Sequence, residues 1–252
     1  MTSDHPTRAP GPDPLSPVVD DRLLEGEAKA RAVQSMFDRI APRYDMVNRI
    51  MTFGLDVRWR RRCVRELRLS PGSTVLDLAC GTGDLCRDLT AADLSPVGVD
   101  FSAGMLGSAR TTAPLAQADV SVLPVPDASI DGVVCGFAMR NFTDLSAFFD
   151  ELARVLRPGG RMSIVDAASP ANRVLRAGHN LYFGRIVPLI GGLLSDRSAY
   201  AYLPRSLGYM PAPDELVGLV RRAGFSDARR VELTGGAAQL LTGTRDPGTS
   251  GS

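Results

Sequence analysis

An apolar run that stops at two closely spaced glycines limits this chain more than any other feature: residues 74–84 read TVLDLACGTGD. Four or five apolar residues ahead of glycine make a buried strand. Glycines at 81 and 83 let the backbone turn sharply and come close to a ligand. The stretch that follows, Gly83–Thr90, has helical character. Strand, glycine loop and helix in succession are the signature of an open α/β sheet, in which ligands bind at the carboxyl ends of the strands.

The alternation continues downstream. Strands are expected at Thr74–Leu78, Pro96–Val99, Leu115–Ala118, Ile130–Gly136 and Arg161–Val165, with helices at Gly83–Thr90, Ser102–Thr111 and Leu145–Leu156 between them. RPGGR (157–161) reads as a turn from helix into strand. Three helices are expected earlier, over 28–40, Asp45–Met51 and Val57–Leu67, with Pro42 breaking the first. Residues 170–210 interrupt the rhythm with Arg, Tyr and Leu among Gly and Pro, and read as helical elements inserted over the ligand edge. A helix at 212–225, with Gly224 near its end, precedes strands at 228–234 and 237–243, an antiparallel pair closing one edge. The pattern predicts a mostly parallel sheet with helices on both faces. Residues 1–25, rich in Pro, Ser, Thr and Asp, read as a disordered arm, and 244–252 as a disordered tail. Between them lies a single domain, 26–243, with a helical cap at 26–70 and a lid at 170–210.

Bulk properties exclude several classes. A formal net charge of +1, with no N-P-P-Y-type motif, gives no reason to expect nucleic acid. The four cysteines form no C-x-x-C pair, so they are expected as reduced thiols with no metal. No apolar signal core opens the chain, and no run of apolar residues is long enough to span a bilayer, so a cytoplasmic location is expected. Lys29 is the only lysine among 29 basic residues.

The glycine loop has two candidate ligands, a dinucleotide and S-adenosylmethionine. A dinucleotide fingerprint wants a third small residue three positions after the second glycine, where this chain has Cys86. Asp77 and Asp84 put two carboxylates around the loop; they repel a pyrophosphate and suit an ammonium and a sulfonium. The charge favours S-adenosylmethionine, with an NAD-binding oxidoreductase as the rival from another class. Asp100, ending the second strand, is placed to accept both ribose hydroxyls. Asp119 can accept the adenine amino group, and the Val120 backbone N–H can donate to the ring.

YDMVNRIMTFGLDVRW (44–59), VLDLACGTGD (75–84), GFAMRNFTD (136–144) and RVLRPGGR (154–161) together resemble the C-methyltransferases of ubiquinone and menaquinone biosynthesis. The likeness runs from residue 33 to about 243. It implies a Rossmann-like class I methyltransferase fold with a seven-stranded sheet, which agrees with the strands counted above. It implies cofactor contacts at Thr82, Asp100, Asp119 and Val120, with Gly136 in place of a family serine; the glycine loop itself adds Asp77, Gly81 and Gly83. The chain departs from the family at Asp56 (usually His), Gly136 (usually Ser), Asp166 (usually Glu) and Leu241 (usually His). The implied chemistry is methylation of a quinol ring carbon, activated by ionising a neighbouring hydroxyl. Arg140 can stabilise that phenolate or hold a water, Asn141 can orient the ring hydroxyl, and Tyr44 can complete the site. Asn48 and His179 are candidate acceptor contacts. The acceptor expected is a prenylated quinol, demethylmenaquinol first, with another quinol or phenol as alternative. Residues 174–194, apolar with interspersed arginines, can groove a prenyl tail or rest on the inner membrane surface. A homodimer is compatible with this reading.

Overall fold

The computed structural model describes residues 18–19, 22–23, 26–187, 189–190, 199, 202 and 205–247. Most of the expected arm and the end of the tail lie outside them. Val18–Val19 and Arg22–Leu23 pair as a two-residue antiparallel ladder.

Seven strands form one sheet: β1 (Thr74–Leu78), β2 (Ser95–Asp100), β3 (Leu115–Gln117), β4 (Ile130–Gly136), β5 (Leu156–Ala167), β6 (Phe225–Leu233) and β7 (Ala238–Arg245). Their order is β3-β2-β1-β4-β5-β7-β6. β1 to β5 run parallel, and β7 lies antiparallel to both β5 and β6. The order reverses direction beside β1, so a crevice opens at the carboxyl ends of β1 and β4.

The helices are α1 (Gly26–Ile40), α2 (Tyr44–Met51), α3 (Leu55–Leu67), α4 (Asp84–Thr90), α5 (Ala103–Gly107), α6 (Leu145–Val155), α7 (Arg173–Leu181) and α8 (Pro213–Arg222). Side chains alternate across the sheet. Leu76, Leu78, Val133 and Ile164 pack with Phe148, Phe149 and Leu152 of α6 and Leu216 and Val220 of α8. Val75, Val134 and Val165 face Trp59, Cys63, Val64 and Leu67 of α3 and Leu85 and Leu89 of α4. α3 is therefore a layer of the sandwich rather than part of the cap. A third cluster joins Met36, Ile40, Val47 and Met51 of the first two helices to Val187, Ala199 and Tyr202 of the insertion. Cap and insertion thus share one core above the crevice.

Several boundaries differ from expectation. α5 is shorter: Ser102 caps it by accepting from Met105 N, and it stops at Gly107, where glycine and then β-branched Thr111 and Thr112 disfavour continuation. RPGG is a bulge within β5, not a turn before it: Ile130 pairs with Leu156 and Gly132 with Arg161, so 157–160 loop out. Pro158 has no N–H to pair, and Gly159 sits at φ +80°. β6 starts earlier, at Phe225, because Gly224 (φ +85°) ends the preceding helix. β7 runs two residues further than expected, to Arg245.

Candidate active site

The chain leaves β1 through a loop in which Ala79 (φ +53°), Gly81 (φ +55°) and Gly83 (φ +82°) are all left-handed. A side chain at Gly83 would also meet Thr111 Cγ2 at 2.6 Å, so glycine is demanded twice over. Ala79 holds this conformation with a Cβ, the kind of strain that collects at binding loops.

Asp77 alternates to the same face as Val75 and is wholly buried. Cys86 Sγ, on α4, donates to its Oδ2 at 3.3 Å, while Oδ1 has no partner. Burial, then the neighbouring Cys86, holds the carboxyl well above its ordinary pKa. An unpaired buried carboxylate oxygen is costly, and a cationic ammonium is the ligand group that relieves it. Asp84 differs from expectation: it is paired with Arg87 and, at 2.9 Å, with Arg60. The loop's unspent negative charge is Asp77's alone.

Asp100 Oδ2 accepts from Gly81 N at 2.7 Å and Oδ1 from Ser102 N at 2.8 Å. Burial raises its pKa, and each oxygen keeps a second lone pair. Asp119 Oδ1 accepts from the Ser121 N–H and hydroxyl at 2.8 and 2.6 Å, which fixes the turn after β3. A cavity of about 1360 Å³, its open mouth included, connects these groups. Asp77, Gly81, Thr82, Asp100, Asp119, Val120 and Gly136 line it, as do Tyr44, Asn48 and Asn141. The orphaned Asp77 oxygen, the glycine backbone and the strand-end carboxylates fit S-adenosylmethionine.

Three expected site residues do not line the cavity. Gly83 shapes the loop. His179, at the end of α7, stacks its ring on Phe183 with centroids 4.3 Å apart. Arg140 lies behind the wall. Phe137 (φ +59°) turns the chain out of β4, and a single tight turn, Met139–Asn141, follows. Arg140 is buried there against Asp166 at the end of β5. Its Nη1 also donates to Phe137 O at 2.6 Å, and its Nε to Ser206 Oγ at 3.0 Å. Burial pulls its pKa down, but Asp166 and the phenols of Tyr44 and Tyr202 carry it above the ordinary value, so it stays charged. Burial raises the Tyr44 phenol against the pull of Arg140.

Several supporting residues escaped sequence reasoning. Lys29, buried on α1, donates to Phe142 O at 2.9 Å and Arg140 O at 3.3 Å, and sits 3.6 Å over the Tyr209 ring. A signal existed: the only lysine falls on the stripe of Ala32, Met36 and Ile40. Asp45 accepts from Thr82 Oγ1 at 2.5 Å, and Asp38 from Ser102 Oγ at 2.5 Å, latching the cap onto both cofactor loops. The family departures have local reasons. At Gly136 a Cβ would meet Leu85 Cδ1 at 2.8 Å. Asp56 accepts from Thr52 Oγ1 at 2.8 Å and Arg60 at 2.5 Å in a buried network. Leu241 is wholly buried between Ile164 and Arg230.

Comparison with known proteins agrees with this geometry. A demethylmenaquinone methyltransferase of Thermus thermophilus is 41% identical over 220 residues, 83% of this chain and 100% of the relative. A ubiquinone/menaquinone biosynthesis C-methyltransferase of Geobacter sulfurreducens is 39% identical over 89% of this chain and 91% of its own length. Among solved structures, a putative methyltransferase bound to the Haloferax volcanii Trm112 activator superposes with a TM-score of 0.62 at 18% identity, covering 83% of this chain and 97% of that one. Haemonchus contortus phosphoethanolamine N-methyltransferase 2, solved with S-adenosyl-L-methionine, gives 0.56 at 13% identity over 74% and 52%. These structures share the fold. With its family pattern matched over residues 25–245, the chain belongs to the ubiE/COQ5 methyltransferase family.

Proposed function

We propose that this enzyme methylates a ring carbon of a prenylated quinol, with demethylmenaquinol as the acceptor. The observation that carries the reading is that one cavity is lined both by Asp77, with its orphaned oxygen, and by Tyr44, Asn48 and Asn141. S-adenosylmethionine, when bound, supplies a methyl group made electrophilic by its sulfonium. Asp77 takes the ammonium, Thr82 and the backbone at Gly81 hold the amino-acid part, Asp100 accepts the ribose hydroxyls, and Asp119 and Val120 bind the adenine. Gly136 leaves room beside Leu85 on the floor.

Tyr44, protonated because burial raises its pKa, donates to a ring oxygen. Asn48 and Asn141 hold the other. Losing a hydroxyl proton to solvent at the mouth of the cavity raises electron density on the adjacent ring carbon, whose own hydrogen leaves as a proton by the same route once the carbon carries the methyl. Arg140 favours that ionised form through its fixed charge, since its Nε and Nη1 are engaged by Ser206, Phe137 and Asp166. The cap excludes water through the Asp45–Thr82 and Asp38–Ser102 latches.

The test is methyl transfer from labelled S-adenosylmethionine to demethylmenaquinol, a demethoxy-type benzoquinol and simple phenols. Label on the demethylmenaquinol ring carbon is expected. Label only on a phenol oxygen refutes carbon methylation.

One further feature bears on where the tail goes. Val174, Leu175, Leu181, Ile186 and Leu189 are exposed, as is Phe53, whose ring lies 5.7 Å from that of Tyr182. Arg173, Arg176 and Arg185 are exposed among them. No helix among the described residues is long and apolar enough to cross a membrane. This face suits the surface of an anionic bilayer, from which the prenyl tail enters. Flotation with phosphatidylglycerol vesicles, but not with neutral ones, is expected; no flotation with either refutes it.

A further inference from the structure

The wall that faces the acceptor contains an amide whose direction is set from outside the cavity. Asn141 lines the cavity, is 8% exposed, and has a side-chain Nδ2 with no partner. Its Oδ1 accepts from the hydroxyl of Tyr202 at 3.0 Å. Tyr202, 1% exposed, comes from the insertion, 61 residues further along the chain, and is packed in the core shared by cap and insertion.

A buried amide beside a single hydroxyl has two orientations. With Oδ1 toward Tyr202, the phenolic proton is satisfied and only Nδ2 is left over. With the amide reversed, the phenolic proton and Oδ1 are both left over. Stranding fewer polar groups decides for the first orientation. Burial lifts the Tyr202 phenol above its ordinary pKa, so it keeps its proton and remains a donor. The insertion thus dictates which half of the amide is left for a ligand.

We infer that Tyr202 is a positioning residue that holds Asn141 Nδ2 as a donor to an oxygen of the acceptor ring, so that the site selects a ring bearing a hydrogen-bond-accepting oxygen. This rests on the methyl-transfer reading. A donor that is already oriented binds an ionised ring oxygen more strongly than a neutral one. The amide therefore discriminates by charge as well as by shape. It also couples the insertion to the chemistry without Tyr202 touching substrate.

The test is a double-mutant cycle in the full-length enzyme with Tyr202→Phe, Asn141→Ala and the pair. Tyr202→Phe keeps the ring in its core. It is expected to lower kcat/KM for the quinol about tenfold, leaving the KM for S-adenosylmethionine and the S-adenosylhomocysteine-induced rise in Tm unchanged. In the Asn141→Ala background it is expected to have no further effect. A loss of equal size in both backgrounds, or none in either, overturns the inference. Wild-type protein that transfers no methyl to any quinol refutes the function instead. An arm independent of turnover follows the Asn141 side-chain amide by 15N NMR, in protein loaded with S-adenosylhomocysteine, as a hydroquinone is added. The amide protons are expected to shift. Their failure to shift overturns the assignment of Nδ2 as the donor.

Discussion

Two aspartates, both wholly buried at the carboxyl end of the sheet, behave in opposite ways. Asp77, at the end of β1, has one oxygen without a donor and a pKa pushed up by burial. Asp166, at the end of β5, is bound by Arg140 through both guanidinium and backbone and by the backbone N–H of Ala167 at 2.7 Å. The cofactor half of the crevice is left unsatisfied for a ligand to complete. In the acceptor half the buried charges are paired within the protein, and what stays open is the neutral Nδ2 of Asn141. A buried charge is costly when alone and tolerated when paired, so the protein places its deficit where a cation binds.

The largest expected effect tests the paired end. Asp166→Asn leaves the Arg140 charge uncompensated and is expected to cost about 3–5 kcal/mol of stability, read by urea unfolding, with loss of methyl transfer. A stable Asp166→Asn protein would break the comparison. Next, Asp77→Asn is expected to weaken S-adenosylhomocysteine binding by about 2–4 kcal/mol without lowering the stability of the ligand-free protein, as calorimetry would show. The pH dependence sharpens this. Asp77 has a raised pKa when the site is empty, and an ammonium holds it ionised. The bound form therefore carries fewer protons, and affinity rises with pH from the ordinary carboxylate range up to the raised value. Over the same window the empty protein loses stability, because ionisation is penalised only in the folded state. Asp77→Asn flattens both slopes; Asp100, whose burial raises its pKa too, adds to what survives with the same sign, and Glu151, held low by its hydrogen bond with Arg154, adds to the stability slope with the opposite one.

Smaller effects concern the clamps. Lys29→Met removes a charged donor to two carbonyls of the Arg140–Phe142 segment and is expected to cost about 2 kcal/mol of stability, with kcat lowered and cofactor affinity kept. Asp45→Ala loses the bond from Thr82 and is expected to cost about 1 kcal/mol of cofactor affinity, seen as faster release in stopped-flow fluorescence. Should Lys29→Met weaken cofactor binding more than Asp45→Ala does, the division of the crevice into two halves fails.

The cofactor half was legible because its determinants are local. Asp77, Gly81 and Gly83 lie within seven residues, Asp100 closes an apolar strand, and Asp119 lies just past the end of the next. The acceptor half joins distant parts of the chain: Arg140 to Asp166 and Ser206, Lys29 to Phe142, Tyr202 to Asn141. The motif pointed to Arg140 and Asn141 but not to what holds them, and neither Arg140 nor His179, a separate candidate, lines the cavity. Asp84 misled for the same reason, since Arg60, which neutralises it, lies on another helix.

By itself the sequence determined the strands, their alternation with helices, the glycine loop and the charge that suits a cationic cofactor, because backbone conformation and apolar period are properties of neighbouring residues. Tertiary structure alone decided which carboxylates stay unpaired, that Arg140 is buried outside the cavity lining, and which end of the Asn141 amide is left without a partner. Burial and hydrogen-bond partnership depend on residues far apart along the chain.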